Sequence, residues 1–303
     1  MLSSTKNRFG ALPFVALLAC GPSASKPSGS EGDPTGVPTV YTVNYPLQYF
    51  AQRIGGDRVR AVFPAPHGVD PATWSPSPED VAGFQKASRV LLDGADRAGW
   101  VEGAKLPASR LVNTSRAFEA RLIEAQMIES QGDVAREGTT LRPWLDPTLA
   151  VQQVRVVQRA LTELLPQHAG ELGVGADELE RDLRDLDARF ERAFASGSPR
   201  PLLASRPVFD CLRRRYALDL VSLDWGADEM PDEEAWSELA RSLEGRPARW
   251  MLWEDEPLPA TAARLRELGV EPIVFLTCAN VPAPGDYLDG MRKNASALEL
   301  AFR

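Results

Sequence analysis

The chain has 303 residues, a formal net charge of −8 at pH 7, three cysteines and two histidines. This acidic balance argues against nucleic acid and against an anionic membrane surface as a partner. A chain of this length can bury the hydrophobic cores of two ordinary domains, so we predict two lobes.

The N-terminal residues are typical of a bacterial lipoprotein signal. Lys6 and Arg8 form a basic region, residues 11–19 form an apolar core, and the sequence Leu-Leu-Ala-Cys ends at Cys20. The apolar core is shorter than the roughly 20 residues that span a bilayer. We therefore predict cleavage before Cys20 and lipidation of its thiol, with a plain secretory signal as the alternative. Residues 21–37, rich in Ser, Gly and Pro, are predicted to be a flexible tether.

Short apolar runs alternate with helical patterns in the first half of the chain. The predicted strands are residues 39–43, 58–63, 89–93 and 110–113. A helix is predicted at residues 46–54, and Ser77 as N-cap with Pro78 and Asp80 opens a second one. This alternation favours a parallel sheet with right-handed crossovers. The polar residues 129–140 are predicted to form a loop.

The middle of the chain is predicted to be helical. Asp146 as N-cap and Pro147 at the first helical position open one helix. After Pro166 a second helix is predicted, with Asp177 as its N-cap and Glu180 three residues further on. Its narrow apolar stripe and its charged opposite face are typical of a helix that bridges two lobes.

The second half of the chain repeats the pattern of the first half. The predicted strands are residues 201–205, 218–224, 249–254 and 272–277. The predicted helices are residues 208–216, 233–243, 261–268 and 286–302. The pattern predicts a second parallel α/β lobe, although the two halves share no detectable sequence repeat.

Four short motifs follow one another along the chain. They are Asp70-Pro71 with Pro76-Ser77, Arg142-Pro143-Trp144-Leu145-Asp146-Pro147, Ser205-Arg206-Pro207-Val208-Phe209, and Leu276-Thr277-Cys278. In this order they resemble the motifs of the zinc- and manganese-uptake binding proteins of ABC transporters. The resemblance covers about residues 38–302.

The resemblance implies a fold class, a domain organisation and a role. The fold would be α/β, with two parallel-sheet lobes joined by a long backbone helix and a ligand between the lobes. The implied organisation is a lipoprotein signal (1–20), a tether (21–37), an N-terminal lobe (38–172), a linking helix (173–196) and a C-terminal lobe (197–303). The protein would be a monomer, lipid-anchored and extracytoplasmic, that presents its ligand to a membrane permease.

The resemblance also locates the four positions at which that family carries metal ligands. In this sequence they are Ala72, Arg142, Arg206 and Thr277. Alanine offers no donor atom, and a protonated arginine cannot coordinate a metal. Zinc and manganese affinity comes from imidazoles and carboxylates held together in one set of ligands. The sequence therefore predicts an atypical binding site.

A metal site rebuilt from nearby residues is the first hypothesis. His67, Glu254 and Cys278 form a set that is chemically acceptable for a transported zinc or manganese ion. Asp146, which lies close to Arg142, is a further candidate. Three of these residues also have plainer interpretations: His67 as a loop residue, Glu254 as the partner of an arginine, and Asp146 as a helix cap.

A pocket for an anion or a metal chelate is the second hypothesis. Arg142 and Arg206, from facing lobes, could bind an anionic group through paired hydrogen bonds. Three tryptophans are candidates for an apolar wall of that pocket: Trp74, Trp144 and Trp225. The alternative is that the two arginines form salt bridges that lock the lobes together. The acidic partners would then be Asp70, Asp146 and Glu254.

A third hypothesis is an adhesin or structural lipoprotein that keeps the fold without transport. No catalytic constellation competes with these interpretations, so we predict that the protein is not an enzyme. Cys211 and Cys278 either form a disulfide in an oxidising compartment or are two separate buried thiols.

Overall fold

The computed structural model describes residues 36–94, 99–120, 141–196 and 201–302. The predicted signal, the lipidation of Cys20, most of the tether and the loop at 129–140 lie outside these residues. Within them, none of the helices combines the length and the apolar character needed to cross a membrane.

The N-terminal lobe is built on a four-stranded parallel sheet. Its strands are β1 (Thr39–Thr42), β2 (Arg60–Val62), β3 (Arg89–Leu92) and β4 (Leu111–Asn113), in the order β2-β1-β3-β4. The helices between them are α1 (Tyr45–Gly55), α2 (Pro78–Lys86) and α3 (Trp100–Gly103). Parallel pairing brings the carboxyl ends of all four strands to one edge of the sheet, where α/β proteins place their ligands.

Two long helices follow the first sheet. They are α4 (Pro147–Leu164) and α5 (Ala169–Ser196), separated by a short 3₁₀ turn at Pro166–His168. The predicted N-cap at Asp177 is wrong, because α5 begins eight residues earlier and its buried stripe starts at Leu172. Gly175 lies in this early part of α5, where the helix contacts α1. A Cβ there would lie 2.9 Å from the carbonyl oxygen of Ile54, so only glycine lets α5 pack this closely on α1.

The C-terminal lobe repeats the topology of the N-terminal lobe. Its strands are β5 (Leu202–Ala204), β6 (Leu220–Ser222), β7 (Trp250–Trp253) and β8 (Glu271–Val274), in the order β6-β5-β7-β8, all parallel. The helices are α6 (Asp210–Arg215), α7 (Glu233–Gly245), α8 (Pro259–Glu267) and α9 (Tyr287–Ala301). The strand order is the same in both sheets, so the two carboxyl edges can face one cleft.

Local sequence signals account for the main helix starts. Ser77 and Asp80 form a reciprocal capping box at α2, and Asp146 caps α4, both as predicted. A side-chain oxygen satisfies backbone N–H groups that the first helical turn leaves without intrahelical partners. These caps set where the chain leaves the loops that carry Asp70 and Arg142.

One hydrophobic cluster extends through both lobes. It includes Phe50 of α1, Leu183 of α5, and Phe275 and Leu298 of the second lobe. The lobes are therefore packed on a shared helix core, and we expect only modest motion between them. Cys278 belongs to this cluster, whereas Cys211 is buried in a separate one with Phe118 and Leu141. No disulfide joins the two cysteines, so the structure favours two buried thiols.

Candidate binding site between the lobes

The four positions matched to metal ligands lie in loops at the facing edges of the two sheets. Ala72 follows β2 and Arg142 precedes α4 in the first lobe, while Arg206 follows β5 and Thr277 follows β8 in the second. Two of these positions meet directly, because Arg142 Nη1 donates to Thr277 Oγ1 over 2.5 Å. The side chains at two of the matched positions are thus hydrogen-bonded across the lobes.

Arg142 is the centre of the site. Only 2% of its side chain is exposed, and Nη2 lies 3.0 Å from Asp70 Oδ2 and 3.2 Å from Glu254 Oε2. Its Nε is buried with no hydrogen-bond partner among the described residues. A guanidinium cannot shed its proton in a folded protein, so this buried charge depends on the two carboxylates.

Glu254 links the buried arginine to a second, more exposed one. Its Oε1 accepts a hydrogen bond of 3.1 Å from Arg206 Nη1, while Arg206 Nε lies 3.8 Å from Asp224 Oδ1. The side chain of Arg206 is 40% exposed. The residues form a chain of alternating charge across the cleft, with three carboxylates and two guanidiniums, so the cluster carries a formal charge of −1.

The loop that carries Asp70 is held from both lobes. Asp70 Oδ1 accepts from the backbone N–H of Ala72 over 3.0 Å, which shapes the turn and leaves Oδ2 for Arg142. From the other lobe, Asn280 Nδ2 donates to the carbonyl oxygens of Pro66 and Val69, both over 2.7 Å. The sequence analysis missed Asn280, although its place three residues beyond Thr277 is a signal that could have found it.

The three tryptophans do not form one wall. Trp144 is buried and donates from Nε1 to the Thr277 carbonyl over 2.7 Å, so it joins the lobes. Tyr287 completes this contact by donating its hydroxyl to the Trp144 carbonyl. Trp225 instead packs on Trp236 inside the second lobe, and Trp74 packs edge-on against Trp100 in the first.

The structure does not assemble His67, Glu254 and Cys278 into a set of ligands. His67 is exposed on its loop, and Glu254 is held by two arginines. Cys278 is buried against Gly290, and burial raises the pKa of its thiol to about 12. Among the described residues no three His, Cys, Asp or Glu side chains are grouped to hold a metal ion.

Asp146 serves as the helix cap and is not a partner of the two cleft arginines. Its Oδ1 accepts from the backbone N–H groups of Thr148 and Leu149 and from the Thr148 hydroxyl. The nearest guanidinium contact is Arg215, at 3.9 Å. Burial raises the pKa of the Asp146 carboxyl, and the hydrogen bonds at the cap oppose that shift. Of the three predicted acidic partners, only Asp70 and Glu254 pair with the cleft arginines.

Comparison with known proteins identifies the family. The family model "Zinc-uptake complex component A periplasmic" matches residues 40–301, which is nearly the whole described chain. The chain belongs to this family. The resemblance inferred from the four motifs is thereby confirmed.

A curated relative and a solved structure are similar to this chain over most of its length. The high-affinity zinc uptake system protein ZnuA of Bacillus subtilis (strain 168) is 23% identical, over 94% of this chain and 93% of the relative. The structure of the Zn(II)-bound ZnuA-like domain of Streptococcus pneumoniae AdcA matches with a TM-score of 0.73 at 20% identity, covering 88% and 98% of the two chains.

The same fold also occurs in a protein with a different function. The laminin-binding adhesin Lmb of Streptococcus agalactiae matches with a TM-score of 0.70 at 17% identity, covering 88% of this chain and 100% of that one. At these identities the structural matches establish the fold alone. The predicted α/β architecture with a long helix between the lobes is confirmed, and the ligand has to be argued from the cleft.

Proposed function

We propose that the protein is the extracytoplasmic solute-binding component of a zinc- or manganese-type ABC importer, with an atypical site for its cargo. Membership of the zinc-uptake family over residues 40–301 supports this role. The lipobox at Cys20 supports anchoring to a bacterial membrane, where the protein would meet a permease subunit. The role requires binding and release of a ligand and no chemical step.

The observation that carries the proposal for the cargo is the charge balance of the cleft. Asp70, Glu254 and Asp224 exceed Arg142 and Arg206 by one formal charge, which supports a cation over an anion as the cargo. Carboxylate oxygens suit manganese and also bind zinc. Since no histidine stands at the matched positions, we expect weaker binding than a histidine-rich site provides.

An anionic or chelate cargo is less well supported by the same geometry. Both guanidiniums are already engaged by carboxylates, and an anion would approach a cluster of net negative charge. A chelate held by Arg142 and Arg206 would first have to displace Asp70 or Glu254. The experiment below therefore also measures binding of an anionic ligand.

The test combines two measurements on the full chain. Elemental analysis of natively expressed protein shows what co-purifies, and calorimetry on metal-stripped protein measures binding of Zn²⁺, Mn²⁺ and citrate. Near-stoichiometric binding of either cation, weakened by Glu254→Gln, supports the proposal. Glu233→Gln is the matched control, because that exposed carboxylate pairs with Arg264 outside the cleft.

Other outcomes point elsewhere. Binding of citrate with no binding of either cation would favour the anion or chelate site. If the protein binds neither the cations nor citrate at millimolar concentration, the transport role is contradicted and an adhesin or structural lipoprotein becomes the better hypothesis.

A further inference from the structure

We propose that the Arg142 guanidinium is a built-in cation that takes the place of the cargo cation between the lobes. It stands at a position matched to a metal ligand, yet its guanidinium contacts the carboxylate oxygens that a bound cation would need. Asp70 of the first lobe and Glu254 of the second lie 3.0 Å and 3.2 Å from the same nitrogen, Nη2. Thr277, at another matched position, accepts from Nη1.

The burial of Arg142 indicates that stability alone does not explain it. A buried arginine is expensive to desolvate and often gains nothing over an apolar side chain of similar size. Its Nε is buried with no hydrogen-bond partner among the described residues. The chain thus tolerates an imperfectly satisfied guanidinium between two carboxylates from opposite lobes, Asp70 and Glu254.

Arg206 is the informative contrast within the same cluster. It contacts Glu254 Oε1 and Asp224, but its side chain is 40% exposed and water can solvate its charge. Arg142 contacts Glu254 through the other oxygen, Oε2, and is almost entirely enclosed. Arg206 therefore acts as a rim residue, whereas Arg142 occupies the interior.

Two consequences follow from this placement. The carboxylates of the two lobes are neutralised without cargo, so the cleft loops are held in place in the empty protein. A cargo cation must also displace the guanidinium, which lowers its affinity. The second consequence rests on the proposed function, whereas the first does not.

The experiment compares four full-length proteins: wild type, Arg142→Ala, Arg142→Lys and Arg155→Ala. Arg155 is the matched control, because it pairs with the buried carboxylate of Glu180 outside the cleft. Melting temperature is measured with chelator and then with Zn²⁺ or Mn²⁺, and calorimetry measures the affinity for each cation. Arg142→Gln replaces Arg142→Ala if the alanine variant does not fold.

The expected result is a loss of stability that a cation restores in one variant only. With chelator, Arg142→Ala melts about 6 °C or more below wild type, because Asp70 loses its guanidinium partner and Glu254 keeps only Arg206. Added Zn²⁺ or Mn²⁺ raises its melting temperature, and its cation affinity exceeds that of wild type by at least about tenfold. Arg142→Lys, which keeps the charge, gains no affinity. Arg155→Ala loses stability that neither cation restores.

The outcomes separate the two proposals. Equal cation affinity of Arg142→Ala and wild type overturns the built-in cation, whether or not wild type binds metal. If Arg142→Ala binds a cation and wild type does not, the built-in cation is supported and the proposed metal cargo fails. If the same cations restore the melting temperature of Arg155→Ala, the proposal that Arg142 is a built-in cation is also overturned, because the stabilisation would not be specific to the cleft.

Discussion

Two ion-pair clusters in this molecule combine arginines with carboxylates, but the buried group is the carboxylate in one cluster and the arginine in the other. Between α4 and α5, the carboxylate of Glu180 is 9% exposed, and the arginines that pair with it, Arg155 and Arg184, are 56% and 58% exposed. In the cleft, the arginine is buried and the carboxylates of Asp70 and Glu254 reach solvent. A buried anion with solvated cations joins two helices, whereas a buried cation between two lobes copies the arrangement of a cation-binding site.

The largest expected effect comes from removing the carboxylate that serves both cleft arginines. Glu254→Gln leaves Arg142 buried without its anionic partner in the second lobe, and we expect the free energy of unfolding to fall by about 3 kcal/mol. Chemical denaturation measures it. Adding Arg142→Met to this variant should recover most of the loss, because the buried charge is then absent.

If adding Arg142→Met does not restore stability, the loss in Glu254→Gln has another cause. If the double variant is no more stable than Glu254→Gln, the loss does not come from an uncompensated guanidinium. Glu233→Gln is again the control, since its solvated pair with Arg264 should change stability little.

A neutral contact between the lobes should have a smaller effect than the charged one. Tyr287→Phe removes the hydroxyl that donates to the buried Trp144 carbonyl. An unsatisfied buried acceptor costs about 1–3 kcal/mol, so we expect a loss in the middle of that range by denaturant titration. Unchanged stability would mean that the contact between Trp144 and the second lobe does not depend on this hydrogen bond.

The ion pairs of Glu180, between the two long helices, should make the stability of the wild-type protein depend on pH in a way that Glu180→Gln abolishes. Burial raises the pKa of Glu180, but the guanidiniums of Arg155 and Arg184 outweigh it, and the net pKa lies below the ordinary value of 4.5. A carboxyl whose pKa is lower in the folded protein than in the unfolded chain stabilises the fold. This stabilisation is fully present at a pH above the pKa of the unfolded chain and is lost as the pH falls through the pKa of the folded protein.

Glu180→Gln should therefore be less stable than wild type at pH 7 by about 1.5 kcal/mol. The two proteins should converge as the pH falls below about 4.5, the ordinary value for this carboxyl. Melting curves at pH 7, 5, 4 and 3 measure the difference. A gap that stays constant over this range would contradict the assigned shift.

The smallest expected effect concerns Cys278. Its thiol is buried, and burial raises its pKa to about 12, so almost no thiolate is present at pH 8. We expect no labelling of Cys278 by a thiol reagent in the native protein and complete labelling in denaturant, assigned by peptide mass spectrometry. Rapid native labelling would mean that Cys278 is accessible and would reopen the hypothesis that it is a cleft ligand.

Signals that act within a few residues predicted much of the fold. The capping residues Ser77, Asp80 and Asp146 were assigned correctly, because a cap depends on a side chain and the next few backbone N–H groups. The Asp177 cap was wrong because α5 begins at Ala169, and its first two turns pack on α1 through a contact of Gly175 with Ile54 that is distant in sequence. The prediction that the three tryptophans form one wall of the cleft was wrong for a similar reason, because burial depends on neighbours far along the chain.

By itself the sequence determined the family and the two α/β lobes, and it predicts that Ala72, Arg142, Arg206 and Thr277 stand at the family's ligand positions. Motif order and apolar periodicity are properties of the linear chain. Only the tertiary structure decided that Arg142 is enclosed, that Glu254 and Asp70 reach it from opposite lobes, and that Asn280 holds the loop. Burial and ion pairing join residues more than 70 positions apart, and no local pattern encodes those distances.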